Sequence, residues 1–392
     1  MLGVCEVVDL RTLKPHVCCV PPWERSVKKF PGLFVALAAS IALVLGPAPV
    51  ASAETPRLTS GVGLEGSPAR GILDRLINPD EHVCGPTDLD VYFAELRSEL
   101  TEADLAFLEQ SPAVDIPTVD ALLFGTAADP DYAVRPDYRH LLTKTFRDAQ
   151  RFWDIDSRDI QLAGMHGDML QDTFRVSRVL RVAFGRTAAE ARAEAREIAD
   201  TVAASPGLDG GNNPLFTLNA FAFSAEVDPN PVVAGVPDKI VFGDGMLDAL
   251  EFMGIGNVGS RVVLAHEFGH HVQFEDGLLA SALDAPEATR RVELMADTFG
   301  TYFATHARGL ALNAKRVLQA ERAFFAVGDC AFDNSGHHGT PRQRERASIW
   351  AANLANSARP QGHILPSLAL AARFETQLPR LVAPDTAERL SA

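Results

Sequence analysis

Apolar residues recur at helical spacing from Thr87 to near Gln110, with Thr101 placed to start a second helix there. A loop rich in Asp, Pro and Tyr covers Asp129 to Tyr138. Residues 140 to 204 again read as helices. The clearest runs from Thr187 to Ser205, with Thr187 and Glu190 in capping-box spacing and Pro206-Gly207 as its stop. The pattern then changes period. Phe216 to Phe223 alternates as a strand, and Lys239 to Phe242 predicts a second strand ending in Gly243-Asp244-Gly245. Helices are expected from Ser260 to Gly277, from Pro286 to Arg308, and around 311–327, 341–356 and 366–378. This order predicts an α+β fold in which a small mixed sheet lies beside a helical majority.

The first 53 residues carry a different pattern. Arg25, Lys28 and Lys29 precede an uncharged apolar run from Leu33 to Leu45, and Ala51-Ser52-Ala53 supplies a small-x-small cleavage signature. We read 1–53 as a signal peptide and the chain as exported, secreted or held in the cell envelope. An uncleaved signal anchor is the alternative. The run is short for a membrane span, which needs roughly 20 residues. A start at Val20 or Val27 would give this signal an ordinary basic region. Residues 54–86 read as a linker or N-terminal arm, 87–210 as a helical region and 211–392 as the domain carrying the chemistry. Cys84 and Cys330 are the cysteines beyond the signal and are candidates for a disulfide.

With 47% hydrophobic and 22% charged residues the composition is that of a globular protein, and a net charge of −15 argues against a nucleic-acid partner. The candidate chemistry is concentrated in His266-Glu267-Phe268-Gly269-His270. Positions four apart share a helix face, so His266 and His270 can bind one metal ion while Glu267 reaches a water beside it. Two histidines leave a catalytic zinc short of one protein ligand. Glu293, inside the next expected helix, is the best third, and Asp297, one turn on, is placed to accept a hydrogen bond from a ligand histidine. The cofactor expected is one Zn2+ per chain. His271 turns away from His270 on a helix and is not expected to ligate.

The segment Val263 to Gln273 resembles the active-site helix of the neutral zinc metallopeptidase family, a gluzincin group. Glu293-Leu294-Met295-Ala296-Asp297 is similar to the glutamate-ligand helix that this family shares with the prenyl-protein (CAAX) endopeptidase type. His338-Gly339-Thr340-Pro341-Arg342-Gln343-Arg344 resembles a downstream element of the neutral family, and Leu218-Asn219-Ala220-Phe221-Ala222 resembles the edge strand of CAAX-type enzymes. The chain lacks the membrane spans of the latter. The resemblance implies a zincin-like fold and a peptidase. Glu267 would be the base, His338 and Arg344 the candidates for oxyanion stabilisation and its support, and Asn219 and Ala220 the residues holding an extended peptide or protein substrate. A loop position for His338, a salt bridge for Arg344 and an ordinary edge-strand role for Asn219 stay open. So do a zinc amidase or deacylase acting on a non-protein amide and a binding module stabilised by zinc.

Overall fold

The computed structural model describes residues 88–325, 339–358 and 362–383. Helices α1 (Asp88–Ser98), α2 (Glu102–Gln110), α3 (Ile116–Phe124) and α4 (Pro136–Phe152) precede strand β1 (Gln161–Met165). Helices α5 (Thr173–Val182) and α6 (Ala188–Ala204) lead to strands β2 (Ala220–Phe223) and β3 (Lys239–Gly243). The chain then forms α7 (Asp244–Phe252), α8 (Gly256–Glu275), α9 (Ala285–Thr305), α10 (Ala314–Phe325), α11 (Pro341–Ala358) and α12 (Ser367–Leu381). The described residues are mostly helical and carry a three-stranded mixed sheet, an α+β arrangement. Among them no helix is long and apolar enough to cross a membrane. Residues 1–53, the arm before α1, Cys84, Cys330 and His338 lie outside the described residues.

Local capping sets several helix starts. Thr101 and Asp104 exchange hydrogen bonds at the head of α2, and Thr187 and Glu190 do the same at α6. The Ser205 hydroxyl, just past α6, donates to Asp104 at 2.6 Å, so the end of one helix is fastened to the beginning of another.

Two segments differ from the expected pattern. Gln161–Met165, inside a stretch expected to be helical, is a strand that pairs parallel with β3. It is a five-residue segment with four apolar residues after Gln161, among them Gly164, where an added Cβ would come within 2.8 Å of the Ala133 carbonyl oxygen. So short a run carries no period of its own, and the place beside β3 decides its conformation. Strand β2 is shorter than Phe216–Phe223 because Pro214–Phe216 forms a 3-10 turn that begins at a proline.

The sheet order is β1-β3-β2, with β2 antiparallel to the central β3. Alternation along the strands serves two cores. Ala163, Met165, Phe221, Phe223 and Val241 face one formed with the N-terminal helices, while Ala220, Ala222, Ile240 and Phe242 face one formed with α8 and α9. Helix α4 belongs to the second core, where Phe146 meets Phe268 edge-on at 5.8 Å. Residues 87–210 therefore supply both a strand of the sheet and a helix of the layer that holds the candidate site.

Two polar anchors tie the sheet to its surroundings. Lys239, fully buried on β3, donates from Nζ to the Leu122 and Gly125 carbonyls at 2.9 and 2.6 Å, closing the C-terminal end of α3. Burial pulls its pKa down to about 8. His166, after β1, lies between Asp244 Oδ2 at 2.7 Å and the Ala133 carbonyl at 3.0 Å. Both partners are acceptors, an arrangement that favours the doubly protonated, cationic ring. The hydrogen bond to Asp244 raises its pKa against the cost of burial, and the nearby Asp168 adds to the rise. A raised pKa means that this stabilisation is complete below the unfolded value, about 6.5, and is lost as pH climbs through the folded one. We expect His166→Gln to cost about 1–3 kcal/mol at pH values near 6 and to flatten the decline in stability above neutrality. Urea midpoints measured across that range check it, and parallel profiles for variant and wild type would remove the clamp.

Candidate metal centre

Helix α8 is buried along nearly its whole length, as is α9, which marks them as the central elements of the site layer. Their contacts run in opposite directions. Gln273 meets Val292, His270 meets Glu293, Gly269 meets Ala296, and His266 meets Asp297 and Gly300. The helices are therefore antiparallel, and glycines permit their close approach. An added Cβ on Gly300 would lie 2.9 Å from the His266 amide nitrogen, and one on Gly269 would lie 3.0 Å from the Ala296 carbonyl oxygen. A methyl group at Gly300 must push backbone from backbone next to a ligand candidate. Gly300→Ala is expected to cost about 1–3 kcal/mol and to weaken metal uptake; thermal unfolding with and without metal reads both.

His266, His270 and Glu293 converge, each offering a donor atom within 4.8 Å of the others, and all three are buried. The two Nε2 atoms stand 3.1 Å apart, and Glu293 oxygens lie 3.5 Å from His266 Nε2 and 3.7 Å from His270 Nε2. Atoms held about 2.0–2.2 Å from one tetrahedral ion are separated by roughly 3.3–3.6 Å, so the spacing suits a single metal.

The other ring nitrogens decide where the lone pairs point. His266 Nδ1 is 2.9 Å from Asp297 Oδ1, and His270 Nδ1 is 2.8 Å from Gln273 Oε1. The Gln273 amide is oriented by its own Nε2, which donates to the Val292 carbonyl at 2.7 Å. Both Nδ1 atoms thus face acceptors and must donate, which turns two Nε2 lone pairs toward each other. Such a pair needs a proton or a cation between them. In the metal-free chain, burial opposes charge on both rings. Asp297 and Glu293 overcome that at His266 and raise it to about 10, while burial pulls His270 down to about 4.

Arg344, on α11, donates to both Asp297 oxygens at 2.8 Å and stands 3.5 Å from Glu293 Oε2. With neutral histidines and all three carboxylates ionised, Glu267, Glu293, Asp297 and Arg344 leave this buried group with a deficit of two positive charges. Donor type, spacing and charge all fit a divalent cation.

Glu267 accepts the Ala222 backbone N–H, and its Oε2 is buried with no hydrogen-bond partner. Burial pushes its carboxyl up to about 8; Glu293 adds to the rise and His266 opposes it. The Ala222 contact follows from strand register. Gly243 donates its amide to the Asn219 carbonyl at 2.9 Å, so the ladder turns the backbone groups of Phe221 and Phe223 toward β3 and those of Ala220 and Ala222 toward the other edge. Asn219 is buried immediately before β2, and its side-chain Nδ2 has no hydrogen-bond partner. Its position is held by Thr217, whose hydroxyl accepts the Gly245 amide at 2.9 Å and whose carbonyl accepts those of Asn219 and Met246.

The structure thus gathers His266, His270, Glu293, Glu267, Asp297 and Arg344 in one buried group and sets the Asn219–Ala222 strand beside Glu267. His271 points elsewhere and bonds the Lys239 carbonyl at 3.0 Å, holding α8 to the sheet. The sequence reading missed Gln273, although its place three residues after His270 was a usable signal. No protein-family model, curated protein or solved structure matches the chain.

Proposed function

We propose that this chain is an exported, zinc-dependent metallopeptidase of gluzincin type with a zincin-like site layer. The observation that carries the reading is the convergence of two locked Nε2 lone pairs and the Glu293 carboxylate beside a second buried carboxylate, Glu267, whose Oε2 has no hydrogen-bond partner. A purely structural zinc usually takes four protein ligands; three, with a base alongside, is the catalytic arrangement. Zinc bound by His266, His270 and Glu293 would supply Lewis acidity and lower the pKa of water toward neutrality.

The remaining work falls to the chain. Glu267 takes a proton from the attacking water at Oε2 and returns it to the departing amine, while the Ala222 amide holds the carboxylate in place. Asp297 and Gln273 keep both Nδ1 atoms protonated and so keep both Nε2 atoms available. Arg344 acts through Asp297 and Glu293 as a positioning residue, because its guanidinium is bonded to the Asp297 carboxylate. Asn219 and Ala220, at the start of β2, are the candidates to hold an extended peptide, with the Asn219 side-chain amide, whose Nδ2 has no hydrogen-bond partner, as a donor. His338 remains the candidate to stabilise the oxyanion.

The test is cleavage of casein by residues 54–392 with metal analysis. Chelator-sensitive cleavage restored by zinc is expected. A folded protein that takes up no divalent metal overturns the reading, and zinc uptake with hydrolysis confined to a non-protein amide would replace peptidase by amidase.

A further inference from the structure

His266 and His270 are supported in different ways, and only the support of His266 was legible as a motif. The Asp297 carboxylate that orients His266 is itself paired with Arg344. His270 is oriented by a neutral amide. Gln273 sits less than one turn further along α8, fully buried, with Oε1 2.8 Å from His270 Nδ1 and Nε2 2.7 Å from the Val292 carbonyl. Val292 immediately precedes Glu293. The same side chain therefore touches one ligand candidate directly and the backbone next to another.

From this geometry we infer that Gln273 is a metal-positioning residue: it fixes the tautomer of His270 and sets the distance between His270 and Glu293 by bridging α8 to α9. The inference rests on the metal reading above. An amide meets both demands at once, because it accepts from Nδ1–H and donates to a carbonyl. An ionised carboxylate would face the Val292 oxygen with a second acceptor and add a negative charge to a buried group that one divalent cation already balances. A thioether of the same length would fill the space and offer neither bond.

The experiment measures zinc affinity by competition with a chromophoric chelator, together with the visible spectrum of the cobalt-loaded chain. Wild type is compared with Gln273→Met and Gln273→Glu. Loss of a partner that orients a ligand histidine weakens metal binding by about 10–100-fold, and that loss is expected for Gln273→Met, with a changed cobalt spectrum. Gln273→Glu, which keeps an acceptor for Nδ1–H but loses the donor to the Val292 carbonyl, is expected to fall between wild type and Gln273→Met. If Gln273→Met does not fold, Gln273→Asn, one methylene short of Nδ1, carries the same expectation. Equal affinity and spectra in wild type and Gln273→Met would overturn the inference and leave the metal site standing, as would equal weakening of the Met and Glu variants. Absence of zinc and cobalt binding in the wild type would instead remove the metal reading beneath it.

Discussion

Glu267→Gln is expected to retain about one zinc per chain and to lose peptide hydrolysis by about 100-fold to 10,000-fold, the range ascribed to a positioned general base. The substitution keeps the shape of the side chain and leaves an oxygen for the Ala222 amide, so the edge strand keeps its contact with α8. None of the three converging ligand candidates is touched. What disappears is the proton acceptor at Oε2, the buried oxygen without a hydrogen-bond partner. Turnover of an internally quenched peptide, measured beside the metal content of the same preparation, separates the possibilities. Cleavage within tenfold of wild type would place the base elsewhere, and loss of metal along with activity would make Glu267 part of the binding set.

Arg344→Met is expected to lower the stability of the metal-free chain by about 3–5 kcal/mol, the cost of stranding buried charge when one partner of an ion pair is removed. Asp297 owes its depressed pKa largely to Arg344, against burial that would raise it. Without the guanidinium, Asp297 and Glu293 remain buried with one compensating cation fewer. Zinc should restore part of the loss, since a ligand that binds only the folded state stabilises it by mass action. Urea unfolding of the apo and zinc-loaded forms provides the measurement. A residue that donated only to a substrate oxyanion would behave in the opposite way: its loss would reduce kcat and leave the urea midpoint where it was. Unchanged stability with lost turnover would therefore return Arg344 to direct catalysis.

Several features of the site were legible because they depend on residues close in sequence. The spacing of His266 and His270 places both on one face of α8 whatever surrounds the helix, and the Thr101 and Thr187 caps are reciprocal bonds three residues apart. The helical positions of Glu293 and Asp297 follow from the periodicity of α9. The same local logic had no purchase on Gln161–Met165, whose strand conformation comes from parallel pairing with Lys239–Gly243. It also said nothing of His166 and Asp244, or of Lys239 and the end of α3, pairs brought together only by the fold.

By itself the sequence determined the chemical vocabulary of this protein and the helix faces that display it, because side-chain direction over one or two turns is set by backbone geometry alone. Tertiary structure decided which groups meet. The close crossing at Gly269 and Gly300 brings Glu293 to the histidine pair, and α11 delivers Arg344 to Asp297 rather than to solvent. The α8–α9 contact gives Gln273 its second partner. These contacts join segments far apart in the chain, and they form because a buried charge or amide must find its complement there or pay the cost of desolvation.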